Sequence, residues 1–83
     1  MNTTDATIIE KMRTHPDQGM RILMDEYQER IYWHIRRLVV YEEDAEDMLQ
    51  EVFIKIYQKF DTFKGDSSLF SWIYRLATNA TLS

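Results

Sequence analysis

One group of side chains in this 83-residue sequence has the chemistry of a protein-binding strip. Asp47, Gln50 and Glu51 stand at helical spacing within residues 42–51, a stretch of six carboxylates and no base, and Lys55 is a further candidate for the same strip. Such a strip suits a basic partner helix, because charge complementarity sets orientation and association rate. A solvated helix start, where the helix dipole favours negative charge, accounts for the same residues without a partner. Glu51 and Lys55 are expected to form an i,i+4 ion pair.

A second group combines aromatic rings with basic and amide side chains. Trp72 flanks a predicted apolar stripe, Phe63 lies in a predicted loop, and Arg75 and Asn79 follow within the same segment. Exposed rings can stack on unpaired bases, and an amide can pair with a base edge. Core packing is the alternative for rings, and it is preferred for the other two phenylalanines of this segment.

The loop between the third and fourth predicted helices is a third candidate site, and it consists of Phe63, Lys64, Gly65, Asp66, Ser67 and Ser68. Gly65 is free to take a positive φ, and one of the two serines is expected to cap the helix that follows. Backbone N–H groups beside a helix N-terminus can hold a phosphate or a flipped base. A generic connector is the alternative interpretation.

Four helices must position these groups. Apolar residues recur at spacings of three and four over residues 5–13, 17–39, 43–61 and 69–81, the signature of amphipathic helices. In the second helix the apolar stripe includes Met20 and Met24. No strand pattern is present, and two glycines and one proline leave little material for turns. The sequence predicts an all-α fold, a compact bundle of about four helices, with residues 1–83 forming a single domain.

Local signals indicate where the first two helices begin and end. Thr4 or Asp5 is expected to cap the first helix. Pro16 is expected to separate it from the second, because proline disfavours helical geometry in the preceding residue. Gly19 falls in the first turn of the second helix, where fraying makes its propensity penalty small.

Composition and charge argue against several classes of function for this chain. A net charge of −4 argues against autonomous binding to duplex DNA, although residues 55–83 carry four bases against two acids. Any nucleic-acid contact is therefore expected in the last third of the chain, with help from a partner. Cysteine is absent, and no segment has the length of a signal peptide or a membrane span, so a cytoplasmic location is expected. His15 and His34 have no nucleophile motif beside them, so neither an enzyme nor a cofactor site is predicted.

The run from Asp44 to Ala80, DAEDMLQEVFIKIYQKFDTFKGDSSLFSWIYRLATNA, resembles region two of bacterial sigma factors, most closely the extracytoplasmic-function (ECF) class. Three signatures carry the resemblance in order and spacing: DAED with LQEVF, then FKGDSS, then WIYRLATN. Two features depart from the family pattern. The Gly-Asp-Pro turn that often precedes the acidic helix is missing, and no region-four helix-turn-helix domain follows within this chain.

The resemblance implies a non-catalytic transcription initiation factor that docks on the clamp helices of RNA polymerase core and recognises and melts the minus-ten promoter element. It implies polymerase contacts by Asp47, Gln50, Glu51 and Phe53. It also implies that the loop from Phe63 to Ser68 receives a flipped base of the non-template strand, and that Trp72, Arg75 and Asn79 line the strand-contacting face. A helical module that binds only protein, such as an anti-sigma factor, is the alternative.

Overall fold

The computed structural model describes residues 3–83, and within this range the chain is helical and contains no strand. Four α-helices and one 3₁₀ turn follow in order: α1 Thr3–Thr14, α2 Pro16–Arg36, α3 Glu42–Lys59, the 3₁₀ turn Phe60–Thr62, and α4 Leu69–Leu82. The predicted all-α bundle of four helices is confirmed. The second and third helices end slightly earlier than their apolar patterns suggest.

The core lies where α2 packs against each of the other three helices. Every helix contributes positions spaced by three or four, so that one face of each is removed from water. The largest fully buried side chains are Ile8 from α1, Leu23, Tyr27, Ile31 and Ile35 from α2, Val52 and Ile56 from α3, and Leu69 and Ile73 from α4.

The start of α1 differs from the prediction. Neither Thr4 nor Asp5 caps the helix, because both lie inside it, and Asp5 is buried against α2. The Tyr27 hydroxyl donates a hydrogen bond of 2.7 Å to Asp5 Oδ1. Burial, followed by this bond to Asp5, raises the pKa of Tyr27. The predicted break at Pro16 is confirmed, since His15 leaves helical geometry between α1 and α2.

Gly19 has a different role from the one its sequence position suggests. It is buried at the crossing of α1 and α2, and a Cβ atom there would lie 2.6 Å from the Met12 backbone nitrogen. Because real Cβ contacts are essentially never shorter than 3.0 Å, the two backbones can approach this closely only at a glycine. The helix-propensity penalty is therefore not the main consequence of Gly19: the absence of a side chain at this residue permits α1 to dock on α2.

The segment between α3 and α4 follows two local signals. Gly65 takes a φ of 81°, and Ser68 is the N-cap of α4, with its Oγ accepting a 3.1 Å hydrogen bond from the Ser71 N–H. Among residues 3–83 the predicted Glu51–Lys55 ion pair does not form. The ion pair found in this range joins Arg30 to Glu26 within α2.

Candidate binding surfaces

An apolar groove of about 490 Å³ runs between α2 and α3. Two of its apolar side chains project strongly into solvent, Ile54 at 56% exposure and Tyr57 at 49%. The groove is lined by Met20, Met24, Gln50, Phe53, Ile54, Tyr57 and Gln58. Met24 was expected in the core, but it is exposed at the groove instead. The available sequence signal was the pair of apolar residues on α3 outside its core stripe.

The structure brings only part of the predicted polymerase-binding set together. Gln50 and Phe53 share the groove, with Phe53 only 7% exposed, so that little more than an edge of its ring is accessible. Asp47 and Glu51 are exposed on α3 but do not line the groove. At 3.6 residues per turn they lie further round the helix, on the side that faces solvent. Two residues of the predicted set thus line the apolar groove, and the two carboxylates lie beside it on the solvent-facing side of α3.

Three aromatic rings form a cluster where the 3₁₀ turn meets α4. The ring centroids of Phe60, Phe63 and Trp72 lie 5.5–5.7 Å from one another, within the range favoured for aromatic pairs. Phe63 is only 3% exposed, and Trp72 is half-buried. The expected exposed Phe63 ring is therefore wrong, because the 3₁₀ turn brings Phe63 back onto the core beside Phe60.

The loop that Phe63 begins is held at both ends. The Phe63 N–H donates to the Phe60 carbonyl at 3.0 Å, and the Phe63 carbonyl accepts a 3.2 Å bond from Arg13 of α1. At the far end Ser68 caps α4, and Arg75 donates to Ser67 Oγ at 3.5 Å. Lys64, Gly65 and Asp66 between these anchors are exposed. Any pocket built on this loop would use backbone groups rather than the Phe63 ring.

A basic cleft lies between α3 and α4, on the other side of α3 from the apolar groove. Its two adjoining depressions have volumes of about 230 and 180 Å³ and share Lys59, Leu76 and Asn79. The remaining lining residues are Lys55, Thr62, Trp72, Arg75, Ala80 and Ser83. The structure therefore brings the predicted Trp72, Arg75 and Asn79 together. It adds Lys59, and also Lys55, which lines this cleft instead of the polar strip for which it is a candidate in the sequence. The signal in the sequence is the excess of basic over acidic residues from residue 55 onward.

His34 is a packing residue at the contact of α2 with α4. Its ring stacks on Tyr74 with centroids 4.3 Å apart, and Nε2 lies 2.7 Å from Thr78 Oγ1. Because the Thr78 hydroxyl donates to the Tyr74 carbonyl at 2.9 Å, its oxygen is the acceptor for a protonated Nε2. Burial, and secondarily Arg37, lowers the pKa of His34. Its ring partner is a hydroxyl rather than the carboxylate of an acid–base pair.

Within residues 3–83, no group of three or more His, Asp or Glu side chains is arranged to hold a metal ion. No helix in the same range combines the length and apolar character needed to cross a membrane.

The chain matches a known protein family over most of its length. The sigma-70 region 2 family matches residues 23–83, and the chain belongs to it. The ECF RNA polymerase sigma-E factor of Escherichia coli K12 is 34% identical over 76 residues, which are 92% of this chain and 39% of that protein. The RNA polymerase sigma-H factor of Pseudomonas aeruginosa is 35% identical over 75 residues, 90% of this chain and 39% of that protein.

These findings identify the chain as a sigma-70 region 2 domain, and over most of its length it is similar to an ECF sigma factor. The chain spans about two fifths of the length of the curated relatives it matches. Helix α1 lies entirely before the residues that the family model matches, and its apolar side chains nevertheless belong to the same hydrophobic core.

Proposed function

We propose that this domain docks on the clamp helices of RNA polymerase core and captures the unpaired non-template strand of the minus-ten promoter element. It would act in the cytoplasm with that polymerase. The observation that carries the proposal is the division of α3 into two binding sides: the apolar groove faces α2, and the basic cleft faces α4. One helix can thereby join a protein partner to a nucleic-acid strand.

The groove side has the chemistry of a helix-binding surface. Partly exposed apolar side chains, among them Met24, Ile54 and Tyr57, offer the contact area that an amphipathic helix uses when it lies in a groove. The carboxylates of Asp47 and Glu51 border it and favour basic residues in the partner. In this proposal Gln50 and Phe53 contact the clamp helix directly, and the carboxylates set its orientation.

The cleft side has the chemistry of a single-strand site. Lys55, Lys59 and Arg75 supply positive charge for the phosphates, while Asn79 supplies donors and an acceptor for a base edge. Half-buried Trp72 offers part of its ring for stacking, a contact worth about 1–3 kcal/mol per base. The exposed residues 64–66, beside the N-terminus of α4, are the proposed receptor of the flipped base, through their backbone N–H groups.

The mechanism is a shift of the melting equilibrium without bond breakage. Unstacking a base from the duplex costs a few kcal/mol, and contacts made only with the open strand offset this cost. A ligand shifts an equilibrium only by its difference in affinity for the two states. The cleft therefore contributes to melting to the extent that it binds the single strand and not the duplex.

The two sides can be tested separately by fluorescence anisotropy with core RNA polymerase, this domain and a labelled non-template strand. Asn79→Ala should weaken strand capture by about tenfold and leave core binding unchanged, because only base contacts are lost. The paired change Gln50→Ala with Glu51→Ala should weaken core binding. Gln18→Ala, an exposed amide on α2, is the matched control and should change neither.

Two outcomes would contradict the proposal. If the domain fails to bind core polymerase at low salt, the groove has another partner. If core binds but the strand is captured equally by wild type and Asn79→Ala, the cleft is not the strand site. A protein-only module, for instance one bound by an anti-sigma factor, would then be the better account.

A further inference from the structure

We propose that Arg13 of α1 is a positioning residue for the base-receiving loop, residues 63–68. The inference rests on the proposed function and adds to it a helix that lies outside the matched family segment. Arg13 does not line the basic cleft, so its effect would be exerted through the loop backbone. Three structural facts lead to this assignment.

The first fact is that α1 is firmly attached to α2. Near its start, buried Asp5 accepts the 2.7 Å hydrogen bond from Tyr27. Near its end, the Met12 backbone rests against Gly19 at a distance that only a glycine allows. Ile8, fully buried, lies between these two points. The backbone that carries the Arg13 side chain is therefore held in a fixed position on α2.

The second fact is the contact itself. Arg13 Nη2 donates to the Phe63 carbonyl oxygen at 3.2 Å, joining residues that are 50 positions apart in the sequence. The Phe63 ring is buried beside Phe60, and its N–H is bonded to the Phe60 carbonyl. The ring and the N–H hold Phe63 on the core side, and the bond from exposed Arg13 to the carbonyl favours one orientation of the peptide plane between Phe63 and Lys64.

The third fact is the shortness of the loop section that remains open. Only Lys64, Gly65 and Asp66 lie between this anchored peptide and the Ser67–Ser68 anchor at the start of α4. Gly65 takes its positive φ within this section. The direction in which the Gly65 and Asp66 N–H groups point therefore depends on the peptide plane that Arg13 holds.

Arg13→Ala tests the assignment, with Arg13→Lys as the conservative variant and Arg21→Ala as the control for removing one positive charge. Arg21 is exposed on α2, and its long-range effect on DNA is screened by salt. Strand capture by the complex of core polymerase and domain is measured on strands that carry each base in turn at every position. A second, DNA-free measurement is the amide order parameters of Gly65 and Asp66 by NMR.

Arg13→Ala is expected to weaken capture by about three- to tenfold, the usual range for one lost hydrogen bond. The loss should fall on base discrimination at a single strand position, and the order parameters of both amides should drop. Arg13→Lys should restore discrimination, because an ammonium can donate to the same carbonyl. Arg21→Ala should resemble wild type in both measurements.

The outcomes separate this inference from the proposed function. If wild type captures the strand and Asn79→Ala does not, yet Arg13→Ala keeps full base discrimination and rigid loop amides, the positioning role is wrong and the proposed function stands. Equal losses at all strand positions in Arg13→Ala and Arg21→Ala would show a charge effect and also overturn it. If wild type captures no strand, the proposed function fails, and this inference fails with it.

Discussion

Replacing Gly19 with alanine is expected to destabilise the domain, although alanine is the better helix former. The added Cβ would lie 2.6 Å from the backbone nitrogen and 2.8 Å from the Cα of Met12, and 2.9 Å from the carbonyl carbon of Lys11. Ordinary contact begins at 3.4 Å, so α1 must move away from α2 by several tenths of an ångström. These atoms are all backbone, and no side-chain rotation can relieve the contact.

The size of the effect follows from two opposing contributions. Overpacking of this kind costs about 1–3 kcal/mol, since α1 retreats and loosens the packing of Ile8 and Met12. Alanine recovers at most about 1 kcal/mol of helix propensity, and less in a first turn. With about 0.5 kcal/mol of propensity recovered, the net loss is about 0.5–2.5 kcal/mol from a domain whose total stability is about 4–12 kcal/mol. For a chain of this size that lowers Tm by about 2–20 °C.

Urea unfolding followed by circular dichroism measures this loss. Gln18→Ala, an exposed change one residue earlier in the same turn, controls for helix propensity and should be neutral or slightly stabilising. A Gly19→Ala midpoint equal to or above that of wild type would refute the reasoning, because it would mean that α1 does not pack against α2 at the distance described.

Three further changes give independent checks. Tyr27→Phe removes the donor to Asp5 and should cost about 1–3 kcal/mol in urea unfolding; an unchanged midpoint would contradict the buried hydrogen bond. The pKa of His34 in the folded chain is below its ordinary value of 6.5. At a pH near this value the unfolded chain therefore binds more protons than the folded chain, so the free energy of unfolding decreases as the pH falls through this region. His34→Gln should therefore lose less stability than wild type between about pH 7.5 and about pH 5.5, and parallel losses would count against this assignment. Lys59→Ala should weaken strand binding on all sequences and reduce the slope of log affinity against log salt by about 0.7, whereas an altered base preference at constant slope would be the contrary result.

The helices could be predicted because apolar spacing is a local property of the chain. In α3, Val52 and Ile56 repeat at four, and both are fully buried as the pattern indicates. Likewise the capping of α4 by Ser68 and the positive φ of Gly65 follow from the chemistry of single residues. Each of these features depends on neighbours within about one helical turn.

The errors arose where a residue's environment is supplied by a distant segment. Asp5 has the composition of a cap, but Tyr27 of another helix gives it a buried partner. Phe63 stands in a polar loop, but the turn before it carries its ring into the core. The polar sequence around Phe63 contains no mark of this burial, since loops and core edges share the same local composition.

The sequence indicates which types of residue form the candidate surfaces, but it does not indicate which residues of different helices lie together. Trp72 and Asn79 recur on one face of α4, which helical spacing alone indicates. Lys55 and Lys59 join them only because α4 packs along that side of α3, and the exposed Ile54 becomes part of a groove only because α2 lies on the other. Both surfaces exist between helices, so neither can be seen on any one of them.

The arrangement of charge along α3 would allow this acidic domain to attract the nucleic-acid strand of the proposed function. Glu42, Glu43 and Asp44 occupy the first turn of the helix, and Lys59 the last. At 1.5 Å per residue these ends are separated by about 25 Å, roughly three Debye lengths at physiological ionic strength. A phosphate approaching Lys59 is therefore screened from the carboxylates at the far end and experiences the local charge instead of the net −4 of the chain. At lower salt the Debye length is longer, and the distant carboxylates then repel the phosphate as well. The rise in DNA affinity that usually accompanies a fall in ionic strength should therefore be smaller for this domain.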